Sequence, residues 1–82
     1  MSDFVELYQN AFVEAFELTD KKNLEDLKYQ SIDEWDSIGH MALIAELESA
    51  YGITIKTEDL IEFGSYTQGV DILARYDIIV KI

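Results

Sequence analysis

Apolar residues recur at helical spacing in several stretches of the chain. Phe4, Val5, Leu7, Tyr8, Ala11, Phe12, Ala15 and Phe16 fall three and four residues apart, which predicts a first amphipathic helix over about residues 3–18. Ser2 or Asp3 is placed to cap it, and Glu6 suits the positive end of its dipole. Thr19-Asp20-Lys21-Lys22-Asn23 breaks the pattern, and residues 19–36 read as a long connection. Loops of that length in small domains are uncommon and are usually pinned by their own apolar side chains. Leu24, Leu27, Tyr29, Ile32 and Trp35 are the expected pins.

The most regular segment follows. From Ser37 to Tyr51 the apolar residues Ile38, Met41, Ile44, Leu47, Ala50 and Tyr51 line one helix face, widened by Ala42, Leu43 and Ala45. Gly52 stands where a left-handed stop is expected. Ser37 reads as the N-cap, its oxygen facing the unpaired N–H groups of the first turn. Those groups and the dipole make an anion site beside the serine. Ile53-Thr54-Ile55 is too short for an isolated strand and reads as an extended link whose isoleucines enter the core. Thr57 looks like the cap of a short third helix over about 57–62, ended by Phe63-Gly64. Ser65 and Gln68 fit a capping box opening a fourth helix over about 66–76, with Val70, Leu73, Ala74 and Tyr76 inward. The apolar end Asp77–Ile82 fits either a continuation of that helix or an extended segment. The pattern therefore predicts one all-α domain over residues 1–82, with three longer helices, a short third one and a long first loop.

Composition supports this. Eighty-two residues allow one modest core, and 49% hydrophobic content is too high for a disordered tail. The chain has no Pro and four Gly, which favours helices over a turn-rich β fold. With no Cys, disulfides and thiolate metal sites are excluded. The formal charge of −11, with only six Lys and Arg, argues against nucleic acid and against anionic membrane surfaces. It suits docking on basic patches of other proteins. No apolar run approaches the roughly 20 residues of a membrane span, and Met1-Ser2-Asp3 lacks the basic start of a secretory signal. A cytoplasmic, monomeric protein is the expectation.

Ser37 is the one residue that invites chemistry. A nucleophilic serine needs a base, and the single histidine, His40, lies one helical turn away. A triad confined to one turn of so small a domain has no substrate pocket or oxyanion hole, so catalysis is not expected. The carboxylates are spread along helix faces without a metal-ligand spacing, and no metal is expected.

The run Trp35-Asp36-Ser37-Ile38-Gly39-His40-Met41, the helix to Tyr51, Gly52, Ile53-Thr54-Ile55 and the Phe63-x-Ser65 entry to the last helix together resemble the acyl carrier protein family. The resemblance covers nearly the whole chain. It implies a four-helix bundle and a 4′-phosphopantetheine arm joined to Ser37 as a phosphodiester. A phosphopantetheinyl transferase would supply the arm from coenzyme A, and the arm's thiol would carry an acyl group as a thioester. It further implies docking residues for partner enzymes with basic patches at Asp36, Ile38, His40, Met41, Glu46 and Glu48. Ile44, Leu47, Ile55, Ile61 and Val70 are the acyl-pocket candidates, and each is equally read as plain core. Asp36 is equally read as a cap ligand, Trp35 as a loop pin rather than a flank for the arm, and His40 as a solvated helix residue.

The departures bear on partners. Gly39 and Ala42 stand where carriers of fatty-acid synthesis commonly have acids, and Trp35 replaces a usual Gly. The expectation is a discrete carrier serving a specialised pathway rather than general fatty-acid biosynthesis. An aminoacyl or peptidyl carrier of the same fold, and an unmodified acidic helical interaction module, are the alternatives.

Overall fold

The computed structural model describes residues 4–80. Its elements are α1 (Phe4–Phe16), a one-turn 3-10 segment (Leu24–Asp26), α2 (Ser37–Tyr51), α3 (Thr57–Glu62) and α4 (Tyr66–Ala74). The described chain is all-helical apart from an isolated antiparallel bridge between Lys28 and Ser65. The long first loop and the short third helix stand where the pattern placed them. The caps expected at Ser2 or Asp3 lie outside the described residues.

Helices α1 and α2, and the turns that follow α4, each close on a left-handed residue whose follower bonds back five positions. Glu17 (φ 54°), Gly52 (φ 65°) and Asp77 (φ 64°) hold that place. Leu18 N–H donates to Val13 O, Ile53 N–H to Glu48 O and Ile78 N–H to Leu73 O. The first and last stops use residues with a Cβ, so nothing in composition marked them. The stop at Asp77 also settles the described part of the tail, which leaves α4 as an extended segment. Ile78 and Val80 turn inward and Ile79 outward, the alternation of an extended chain. Correspondingly α4 ends at Ala74, which is exposed, and its inward face is Tyr66, Gly69, Ile72 and Leu73.

The core is aromatic. Trp35, Tyr8, Tyr66, Phe12, Phe16 and Phe63 are all buried. The Phe12 ring lies 5.0 Å from Tyr8, 5.1 Å from Tyr66, 5.6 Å from Trp35 and 5.8 Å from Phe16, within the range of favourable edge and offset ring contacts. Helices α1 and α2 make the principal helix–helix contact. The first loop is held by Leu24 and Trp35, fully buried, with Leu27 and Ile32 packed beside them. It is also tied to the start of α4 by Tyr29 N–H to Gly64 O (2.9 Å) and Tyr66 N–H to Leu27 O (3.0 Å). Tyr29 is not a pin, because its side chain remains exposed. No described helix is long and apolar enough to cross a membrane.

Helix α2 buries only part of the expected face, Leu43, Ile44 and Leu47, and turns Gly39 and His40 inward with it. Gly39, His40, Leu43, Ile44 and Leu47 are inside, whereas Ile38 is 80% exposed and Met41 54%. The helix is apolar on both sides, so periodicity alone does not choose its orientation. The choice is steric and polar. A Cβ on Gly39 would lie 1.9 Å from Glu34 O, so only glycine lets the loop carbonyl approach this turn so closely. That approach sets Trp35 against His40.

Candidate functional site

Asp36, not Ser37, caps α2. Its side chain accepts from Gly39 N–H at 2.8 Å, and Ser37 is the first helical residue. Aspartate out-competes the serine because its carboxylate both satisfies the orphan donor and opposes the helix dipole. Ser37 is thereby left exposed at a rigid point, with its hydroxyl outside the capping hydrogen bonds. One N–H group of the anion site expected beside the serine is already taken by the Asp36 carboxylate.

His40 is inside, 9% exposed, contrary to its expected solvation. The indole Nε1–H of Trp35 donates to Nδ1 at 3.0 Å. An indole nitrogen is only a donor, so Nδ1 is the acceptor and Nε2 carries the hydrogen. Nε2 donates to Leu60 O at 2.8 Å. Both ring nitrogens are therefore engaged, and neither is open to accept a proton from Ser37 or to meet a docking partner. The ring joins the first loop, α2 and α3 in one place.

Beside it opens a cleft of about 370 Å³, lined by Tyr29, Ser37, His40, Met41, Leu60, Ile61, Phe63 and Gly64. Ser37 stands among the lining residues, which are otherwise mostly apolar. Of the five acyl-pocket candidates only Ile61 lines this cleft, where it is 75% exposed. Ile44, Leu47 and Ile55 are buried in the core, and Val70 is half-buried against it. Tyr29, Leu60, Phe63 and Gly64 were not foreseen at the site. Phe63-Gly64 reads in sequence as a helix stop, and Tyr29 as a pin.

The docking candidates divide. Ile38 and Met41 are exposed in the first turns of α2 after Ser37, and Glu46 is exposed further along the helix. Glu48 is half-buried and accepts the backbone N–H of Ile55 at 2.8 Å, fixing the link that leaves α2. Asp36 is exposed but serves as the cap.

The short α3 is capped at Lys56 without a side-chain bond, so Thr57 is its first residue and not its cap. Its carboxylate Asp59 reaches the end of α4. Oδ2 accepts from Tyr76 OH at 2.5 Å and Oδ1 from Arg75 Nη1 at 2.6 Å. Arg75 Nη1 also meets Glu62 Oε2 at 2.8 Å, and Tyr76 OH accepts from Lys56 N–H at 2.9 Å. The Tyr76 hydrogen bond, followed by that of Arg75, holds the Asp59 carboxyl below its ordinary value against the opposing effect of desolvation. The partners are 16 and 17 residues apart, and no local pattern announces the cluster. At the start of α4, Ser65 caps through Gln68 N–H as expected, but Gln68 returns its bond to Gly64 N–H rather than to Ser65.

Among the described residues no group of three or more His, Cys, Asp or Glu side chains is placed to hold a metal ion. Comparison with known proteins finds no matching family model, no matching curated protein and no matching solved structure.

Proposed function

We propose that this protein is a non-enzymatic acyl carrier, a four-helix bundle that bears a 4′-phosphopantetheine arm on Ser37. The observation that carries the reading is the exposed Ser37 hydroxyl, outside the capping bonds, at the first residue of α2 and on the edge of an apolar cleft. The helix order, the long loop and the six-residue α3 agree with it. The residues present suit such a group: the hydroxyl is open to a modifying enzyme, and the cleft offers an apolar surface beside the attachment point. When bound, the arm supplies the thiol that a chain without cysteine lacks, and on which cargo is held as a thioester.

The chain's own part is positional. Asp36 fixes the helix start, and the Trp35–His40–Leu60 chain of hydrogen bonds fixes the loop and α3 around it. Ile38 and Met41 present apolar contacts to a phosphopantetheinyl transferase and to loading or acyl-transferring enzymes, and Glu46 presents a charge to their basic patches. Gly39 has a steric reason, so of the two positions that lack the usual acid only Ala42 speaks for a specialised partner set. The packed core favours cargo kept in the surface cleft or outside it. An aminoacyl carrier uses the same attachment and differs in loading. The exposed Ile38, Met41 and Ile61 favour a second reading, an unmodified interaction module.

Intact mass after incubation with coenzyme A and a phosphopantetheinyl transferase decides between them. A gain of about 340 Da, absent in Ser37→Ala, is expected. No gain with several transferases removes the carrier reading and leaves the interaction module. Competition between fatty acids and amino acids for loading then separates the cargoes.

A further inference from the structure

A second cleft, of about 430 Å³, opens where α1, the 3-10 turn and the start of α4 meet. Val5 and Gln9 line it from α1, Glu25 from the turn and Tyr66 from α4. None of these four borders the cleft beside Ser37. Val5 and Gln9 stand four residues apart, so they share one helix face, and both are half-buried. Tyr66 is buried, with its ring 4.8 Å from Tyr8 and 5.1 Å from Phe12, so packing fixes the floor of the cleft. Burial pushes the Tyr66 phenol up, a hydrogen bond with Gln9 opposes the rise, and the Glu25 charge adds to it. Phenol, amide and carboxylate therefore act on one another across this cleft. Glu25 is exposed and has no cation of its own, since both ion pairs among the described residues use Arg75. Lys22 and Lys28, three residues to either side of it, make no ion pair with it. Glu6, next to Val5, and Asp26, next to Glu25, add exposed negative charge.

We propose that this cleft is a docking site for an arginine side chain of a partner protein, seated between Glu25 and Gln9 over Val5 and Tyr66. The walls are apolar and the rim polar, which suits a long side chain with an apolar stem and a charged head. The stem lies on Val5 and Tyr66, and the head meets the Glu25 carboxylate and the Gln9 amide. An anionic group is repelled by Glu25 and its acidic neighbours, and a wholly apolar one leaves the carboxylate and the amide without partners. Arginine fits better than lysine because the two acceptors stand on different elements. A planar guanidinium with five donors reaches both, whereas an ammonium is a compact and strongly hydrated point charge. Arginine is also among the residues that anchor interfaces, and the net charge of −11 attracts a basic partner from a distance. The site does not rest on the carrier reading, because it uses no residue beside Ser37 and serves a carrier or an interaction module equally.

The test is a titration of the isotope-labelled, unmodified protein with a capped alanine–arginine–alanine peptide at low salt, followed by amide chemical shifts. Saturable shifts are expected to concentrate on Val5, Gln9, Glu25 and Tyr66. The citrulline peptide, alike in shape but uncharged, is expected to give none, and the lysine peptide is expected to bind more weakly than the arginine one. Glu25→Gln is expected to weaken arginine-peptide binding about fivefold, the size of one partly exposed charge pair. Glu14→Gln removes an equal charge from an exposed position of α1 that lines neither cleft, and is expected to change binding less than twofold. Shifts spread over all the acidic faces, or equal weakening in the two variants, mark a general counter-ion effect and overturn the site. Absence of any saturable shift overturns it as well. The unmodified chain is used throughout, so a failed mass shift at Ser37 and a failed docking site are separate results.

Discussion

Gly39→Ala tests why this glycine stands in the first turn of α2. An added Cβ would lie 1.9 Å from Glu34 O and 3.1 Å from Glu34 C, both backbone atoms that no rotamer change can move. Ordinary carbon–oxygen contact begins at about 3.3 Å, so helix and loop must separate by about 1.4 Å. Overpacking of this kind costs about 1–3 kcal/mol, and replacing a helical glycine returns at most about 1 kcal/mol. The net loss of about 1–2 kcal/mol lowers the melting midpoint of a domain this size by roughly 5–15 °C. Glu34 is followed by Trp35, whose indole is bonded to His40, so emission of this single tryptophan is expected to shift to the red. Thermal melts followed by circular dichroism and by Trp35 fluorescence measure both effects. Gly39→Asp, the acidic residue common at this place in the resembling family, is expected to fall at least as far. A Gly39→Ala protein that melts at or above the wild-type midpoint refutes the steric account and returns Gly39 to the question of partner choice.

Gly69→Ala is expected to cost about 2–3 kcal/mol, because its Cβ would lie 2.2 Å from both Tyr8 OH and Phe63 Cζ, on rings that are fully buried; urea denaturation reads the loss, and an unchanged midpoint contradicts it. Glu17→Gly is expected to stabilise by about 0.5–1 kcal/mol by relieving a left-handed residue with a Cβ, whereas Gly52→Ala, at φ 65°, is expected to destabilise by about 1 kcal/mol, with open space around it notwithstanding. Asp59 has a lowered folded value, so its contribution is complete above its unfolded value near about pH 4 and is lost as pH falls through the folded one. The gap in melting temperature between wild type and Asp59→Asn is therefore expected to be flat above about pH 5 and to narrow below pH 4; a gap that widens on acidification is inconsistent with the Tyr76 and Arg75 bonds. With a net charge of −11, and with both ion pairs of the described residues using Arg75, added salt is expected to raise the melting midpoint by screening self-repulsion, and a midpoint indifferent to salt counts against it.

The helices were legible in the sequence because each is written in local terms: a period of apolar residues, a cap and a stop. The α2 boundaries Ser37 and Tyr51, the span of α3 and the Ser65 cap all follow from neighbours within four residues, where helix hydrogen bonds act. Leu24 and Trp35 were equally legible as pins, since a long loop in a small domain has few other ways to be held. What the chain did not announce depends on residues distant in sequence or on sterics between backbones. Which face of α2 turns inward was decided by the approach of Glu34 O to Gly39 and by the two bonds of His40, not by hydrophobicity, because α2 is apolar on both sides. Asp36 and Ser37 were both credible caps, and only the folded loop gave the place to the carboxylate and left the hydroxyl open. The cleft draws its walls from the first loop, α2, α3 and the 63–64 turn, and the Asp59 cluster spans 17 residues. The sequence by itself determined where the helices run and that Ser37 begins one. The tertiary structure alone decided what surrounds that serine, because burial and long-range hydrogen bonding belong to the packed chain and not to any stretch of it.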